Sequence, residues 1–176
     1  MNSINVNTGI KGLDKIYGNL KRGTLTVIAG RPGMGKTSLL ENIKDNIKGS
    51  VIGFKALNQN LHLDYILNFC EEREVDFIGI DYLQQILIKE SNKDRKEEIA
   101  IILDSLRQLA KKQNCAIILI SQLNRSTDAK EDHKPTLQDF AYSEIIEEKS
   151  DNLFMLYRDD YYNENGDDKL QIIVGK

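Results

Sequence analysis

The hydrophobic and polar positions of the chain fall into two kinds of segment. Short runs rich in β-branched and aromatic residues, at 24–29, 50–54, 77–81, 115–120, 152–157 and 169–174, read as strands. Between them, apolar residues recur every three or four positions, as one face of a helix requires. Leu39, Leu40, Ile43 and Ile47 mark a helix over 38–48. Leu61, Tyr65 and Phe69 mark one over 57–70, and Ile99, Ile102, Leu103, Leu106 and Leu109 mark one over 94–114. A shorter helical segment runs through Leu13, Ile16 and Tyr17, with Thr8 expected as its N-cap and Gly18 and Asn19 as its stop. The stretch 136–150 reads as partly helical, 124–135 as a mobile polar loop, and 159–168 as an acidic turn joining the last two strands. Strands alternating with helices predict an α/β domain with a mainly parallel central sheet flanked by helices.

Composition narrows the picture. A chain of 176 residues makes one domain large enough for a sizeable core. Its net charge of −3 supplies no overall attraction to nucleic acid, so any such contact must be local or use backbone donors. Cys70 and Cys115 lie in apolar runs without a partner at metal spacing and read as reduced core thiols. The polar N-terminus and the lack of a membrane-length apolar run predict a cytoplasmic protein with no membrane partner.

The strand at 24–29 runs into Gly30-Arg31-Pro32-Gly33-Met34-Gly35-Lys36-Thr37, which fits the phosphate-loop template G-x-x-x-x-G-K-[ST], and the helix beginning at Ser38 follows. The glycines let the backbone turn tightly, so that N–H groups face a phosphate, and the helix N-terminus adds positive potential on that side. Gly30 through Ser38 is therefore the candidate nucleotide-binding stretch, with Lys36 reaching the β- and γ-phosphates and Thr37 offering its hydroxyl to Mg²⁺. The alternative is a glycine-rich turn carrying a solvated lysine. Asp81 closes the apolar strand 77–81, where open α/β sheets bind ligands, and is the candidate second metal residue; otherwise it is a turn-capping aspartate. Gln122, at the tip of the fourth strand, is either a γ-phosphate sensor or a hydrogen-bonded loop residue.

Three further runs occur in order: Ile80-Asp81-Tyr82-Leu83-Gln84, Ser121-Gln122-Leu123-Asn124-Arg125, and Tyr157-Arg158-Asp159-Asp160-Tyr161-Tyr162. With the phosphate loop and the lead-in Thr8-Gly9-Ile10-Lys11-Gly12-Leu13-Asp14, they resemble the RecA-type motor domain of DnaB-type replicative helicases over nearly the whole chain. The resemblance implies an ATP- and Mg²⁺-dependent motor that moves along single-stranded DNA, self-associates into a ring, and meets other replication proteins. Carried over by position, Lys36 and Thr37 bind phosphates and Mg²⁺, Asp81 completes the metal site, and Gln122 contacts the γ-phosphate. The family also supplies a lysine and an arginine finger from the next subunit in a K-x-R pattern; Lys176 matches the lysine, and the sequence stops there. The expectation is thus a single domain lacking both the arginine-finger segment and the primase-contacting N-terminal domain.

Two departures stand out. Where the family has F-S-L-E, with a glutamate thought to activate water, this chain has Phe54-Lys55-Ala56-Leu57, with Gln59 two residues on. Where the family has R-E-S-G, whose backbone meets DNA, this chain has Ala141-Tyr142-Ser143-Glu144, followed by Glu147 and Glu148. The departures set a weakly active motor domain against a catalytically impaired accessory protein, a helicase paralogue or loader that binds ATP without unwinding. A RecA-type recombinase or clock-type ATPase shares the fold, but the IDYLQ and SQLNR runs weigh against it.

Overall fold

The computed structural model describes residues 8–18, 20–56 and 60–176. In chain order the elements are α1 (Lys11–Tyr17), β1 (Thr24–Gly30), α2 (Lys36–Asn46), β2 (Val51–Lys55), β3 (Leu61–His62), α3 (Leu63–Glu71), β4 (Phe77–Asp81), β5 (Ile86–Leu87), α4 (Arg95–Gln113), β6 (Ala116–Gln122), α5 (Ser143–Lys149), β7 (Asn152–Tyr157) and β8 (Gln171–Val174). Short 3-10 turns at Leu83–Gln85, Arg125–Ala129, Leu137–Asp139 and Asp159–Tyr161 fill the connections.

The main sheet has the order β2-β4-β6-β1-β7-β8. All its pairings are parallel except that of the edge strand β8, which runs antiparallel to β7. The expected α/β domain with a mainly parallel sheet is therefore present. Its central strands carry near-continuous apolar runs because helices cover both faces. Alternate residues serve opposite layers: Ile117 and Leu119 pack with Ile102 and Leu106 of α4 and Ile66 of α3, while Ile118 and Ile120 pack with Leu39, Leu40 and Ile43 of α2. Leu13 from α1 joins the second layer. Cys70 and Cys115 are free and buried, and burial pushes their thiols up to about 11 and about 12. They are core thiols, as expected.

Several boundaries differ from the pattern-based reading. Thr8 does not cap α1, whose N-cap is Ile10. Its hydroxyl instead donates to Asp14 Oδ1 at 2.7 Å and accepts from the Ile10 N–H at 3.1 Å. The helix expected over 57–70 starts only at Leu63, because Leu61 and His62 pair in parallel with Ile86 and Leu87. The fourth strand extends two residues further than its apolar run, to Gln122, since Ser121 and Gln122 continue the pairing with Ala29 and Gly30. The last strand begins at Gln171 rather than 169. Within 124–135, Arg125–Ala129 form a 3-10 turn rather than an irregular loop.

Candidate nucleotide site

Four neighbouring strands end at one edge of the sheet. Register places Gly30 of β1 beside Gln122 of β6, and Lys55 of β2 beside Asp81 of β4. A cleft of about 290 Å³ opens above these ends, and Pro32, Gly33, Lys36 and Thr37 form its phosphate-loop wall. Gly33 and Gly35 have φ of 81° and 79°, left-handed values that side chains rarely adopt. At Gly33 a Cβ would also lie 2.8 Å from the Tyr161 ring. The chain then enters α2 with Gly35 as its N-cap, leaving the first N–H groups of the helix without intrahelical acceptors.

Lys36 curls back over the loop, and its ammonium donates to the Arg31 carbonyl at 2.8 Å. Burial is the main reason its pKa falls to about 8; nearby Asp81 opposes the fall and Arg31 adds to it. The Thr37 hydroxyl donates to Asp81 Oδ2 at 2.7 Å, across the gap between α2 and β4. Asp81 is only 9% exposed, and its carbonyl accepts from Ala56 N–H at 3.0 Å, which ties β2 to the site. Thr37 and Asp81 together offer a hydroxyl and a carboxylate oxygen, a hard donor pair that suits Mg²⁺, which takes few protein ligands and completes its shell with water and phosphate. Among the described residues no group of three or more His, Cys, Asp or Glu is placed to cage a metal. That too fits a cation held jointly with phosphate oxygens.

Gln122 reaches the cleft from the end of β6. Its N–H donates to Gln84 Oε1 at 3.3 Å, while Gln84 Nε2 donates to the Ser121 hydroxyl at 3.0 Å. Gln84 is itself fixed through its carbonyl, which accepts from Arg95 at 3.0 Å. Sequence reasoning gave Gln84 no role. Its only signal was its place three residues after Asp81, where the turn leaving β4 brings it against β6.

The remaining candidates divide. Met34 is 1% exposed and anchors the loop in the core. Ser38 is exposed in the first turn of α2. Arg31 lends its carbonyl to Lys36, but its guanidinium donates to both carboxylate oxygens of Asp128, at 3.0 and 2.6 Å, and to the Leu123 carbonyl at 3.1 Å. Tyr162 also donates to Asp128, at 3.0 Å, and stacks on His133 with centroids 4.3 Å apart. Arg31, hydrogen-bonded to Asp128, holds that carboxyl below its usual range, and the pair braces the loop from outside. Asp128 carried no sequence signal beyond its place in a polar stretch.

Lys176 does not join the cluster. It lies toward the opposite end of the sheet, where its ammonium donates to the carbonyls of Glu147 at 2.7 Å and Ser150 at 2.9 Å, closing the C-terminal turn of α5. Glu144, in the first turn of that helix, is exposed, as are Glu147 and Glu148. Leu57 and Gln59, the positions weighed for water activation, lie outside the described residues. Among the described residues no helix is long and apolar enough to cross a membrane.

The family model described as "DnaB-like helicase C terminal domain" matches residues 5–63 and 58–176. The replicative DNA helicase DnaB of Pasteurella multocida (strain Pm70) is 28% identical over 235 residues, a stretch that takes in 97% of this chain and 50% of the relative. The probable plasmid replicative DNA helicase of Chlamydia psittaci is 28% identical over 229 residues, with 96% of this chain and 50% of the relative covered. The chain therefore spans about half the length of the curated relatives it matches. Both aligned stretches are longer than the 176-residue chain, so residues of each relative run opposite gaps here. The family match itself breaks at 58–63, shortly after β2. In fold, a solved structure of an isolated ATPase domain superposes with a TM-score of 0.84 at 22% identity, over 96% of this chain and 82% of that one. A structure of a DnaB-like replicative helicase, described with its interactions with primase, gives 0.83 at 23% identity, over 96% of this chain and 56% of that one.

Proposed function

We propose, because this chain belongs to the DnaB-like helicase C-terminal domain family, that it is an ATP-binding motor domain of the replicative-helicase type. The observation that carries the reading is the meeting of Thr37 and Asp81 at 2.7 Å beside the Lys36 ammonium, at the shared carboxyl edge of β1, β4 and β6. Lys36 and the N–H groups of the loop bind the phosphates of ATP, and Gln122 faces the terminal phosphate from the far wall. Thr37 and Asp81 hold Mg²⁺, which supplies charge neutralisation to the phosphates when bound. Ring assembly in the cytoplasm, movement on single-stranded DNA and contact with other replication proteins belong to the same proposal, with Lys176 acting on the nucleotide of a neighbouring subunit.

Hydrolysis by the chain alone is weak. Asp81 is the one acid among the described residues that line the cleft, and it is engaged with Thr37, so no described carboxylate is free to activate water. Working without an arginine finger from a neighbouring subunit typically costs a further factor of about 10³–10⁵ in turnover. The exposed Glu144, Glu147 and Glu148 on α5, where the family meets DNA, favour the second reading: an accessory protein that binds ATP without unwinding. ATP binding by calorimetry, with Lys36→Ala as the comparison, tests the shared core of both. The expected loss is on the order of 100-fold, equivalent to about 2.7 kcal/mol; equal binding by the two proteins sinks the proposal. Stimulation of ATPase turnover by single-stranded DNA then separates motor from accessory protein.

A further inference from the structure

The last residue of β2 has no part in the assignments above. Lys55 stands in register with Asp81 at the carboxyl edge of the sheet and lines the same cleft as Lys36, Thr37 and Gln122. The hydrogen bond from Ala56 N–H to the Asp81 carbonyl, 3.0 Å, pins the backbone at this point, so the root of the Lys55 side chain is fixed relative to the candidate metal site. Its side chain is exposed and finds no ion-pair or hydrogen-bond partner among the described residues. Lysines elsewhere are engaged: Lys44 with Glu41, Lys112 with Glu71, Lys130 with Asp139, Lys149 with Asp104.

Charge balance shows what an unengaged cation does here. Without Lys55, the described lining of the cleft holds one cation, Lys36, and one anion, Asp81. With it, the lining has a surplus positive charge, which suits a phosphate chain whose negative charge exceeds what one metal ion neutralises. The position also adjoins the 58–63 break in the family match, so it lies where this chain departs from its relatives.

Resting on the nucleotide-binding reading, we propose that Lys55 is a phosphate contact supplied from within the chain, directed at the terminal phosphate of a bound nucleoside triphosphate. It lets this site distinguish tri- from diphosphate without a cation from a second subunit. The α- and β-phosphates fall to the loop amides and Lys36; Lys55 reaches in from β2, on the far side of Asp81 from β6.

The test compares wild type, Lys55→Met, which keeps the aliphatic stem, and Lys55→Arg. Calorimetry measures the Kd of the Mg²⁺ complexes of ADP and of the non-hydrolysable β,γ-imido analogue of ATP. Lys55→Met should weaken the triphosphate analogue about tenfold, in line with a hydrogen bond to a charged group, and leave ADP within about twofold. Lys55→Arg should restore most of the discrimination. An equal loss for both nucleotides, or no loss for either, overturns the inference while nucleotide binding itself stands. A wild-type chain that binds neither nucleotide overturns both readings.

Discussion

The ends of β1, β4 and β6 differ from the end of β2 in how firmly they are held. At the three central ends every functional group has a partner: Lys36 on the Arg31 carbonyl, Thr37 on Asp81, Gln122 on Gln84. The strands behind them are buried on both faces, and the helices above are anchored in two core layers. β2 is an edge strand paired only with β4; of its five residues only Phe54 is fully buried. Beyond it, the chain crosses to α3 through the two-residue pairing of β3 with β5. Centre and edge meet at one cleft, and the fold fixes only the centre closely. A nucleotide seat can thus persist at the centre while its edge changes.

The largest test of that contrast is energetic. Ile80 is fully buried in β4, and Ile80→Ala should lower unfolding stability by about 2–5 kcal/mol, the transfer cost plus an unfilled cavity. Ile52 in β2 is only partly buried, and Ile52→Ala should cost about 1 kcal/mol. Urea denaturation of both measures the difference. Equal losses would mean that β2 is as integral to the core as β4, and the contrast would fall.

A smaller effect follows from the burial of Lys36. With its pKa lowered to about 8, the free protein carries the ammonium at pH 7 and loses it progressively above pH 8. Triphosphate binding needs the charged form, so above pH 8 each binding event must take up a proton. Affinity should then fall about tenfold per pH unit until the pKa of Lys36 in the complex is reached. For the nucleotide-free chain the sign is opposite. The unfolded lysine keeps its proton to its ordinary 10.5, so the unfolded state binds more protons between about 8 and 10.5, and stability rises with pH across that window. Calorimetric affinities at pH 7 and 9 check the first statement; a flat profile would show that the central site does not bury its lysine.

Much of the centre was legible in the sequence because local pattern and site chemistry point the same way there. The strand before Gly30, the glycines of the loop and the helix after Lys36 are each readable within a few residues, and so is the acid that ends 77–81. What pattern could not supply were partners distant in sequence. Arg31 looked like part of a phosphate grip, yet its guanidinium answers to Asp128, 97 residues away. The helix expected over 57–70 lost its first turn to pairing with Ile86 and Leu87, a contact that no helical periodicity reveals. Lys176 was readable as a motif position, but its place under α5 depends on the antiparallel return of β8.

Gln84 and its neighbour Gln85 give the finest division between a residue that serves the site and one that merely lies near it. Both belong to the 3-10 turn that leaves β4. The Gln84 amide is donor and acceptor at once, holding the Ser121 hydroxyl and the Gln122 N–H, and Ser121 is fully buried. Gln84→Ala therefore leaves two polar groups short of a partner and should cost about 1 kcal/mol of stability. It should also weaken triphosphate binding by a few fold, since Gln122 loses its fixed position; that binding change is what a purely structural role would not produce. Gln85 Oε1 is buried with no hydrogen-bond partner among the described residues. Removing an unsatisfied acceptor releases its desolvation cost, so Gln85→Ala should be nearly neutral in stability and silent in binding. Urea midpoints and calorimetric affinities of the two variants should thus diverge although the residues are adjacent. Identical behaviour would mean that the amide at position 84 does not hold the tip of β6, and that Gln122 is oriented by β6 alone.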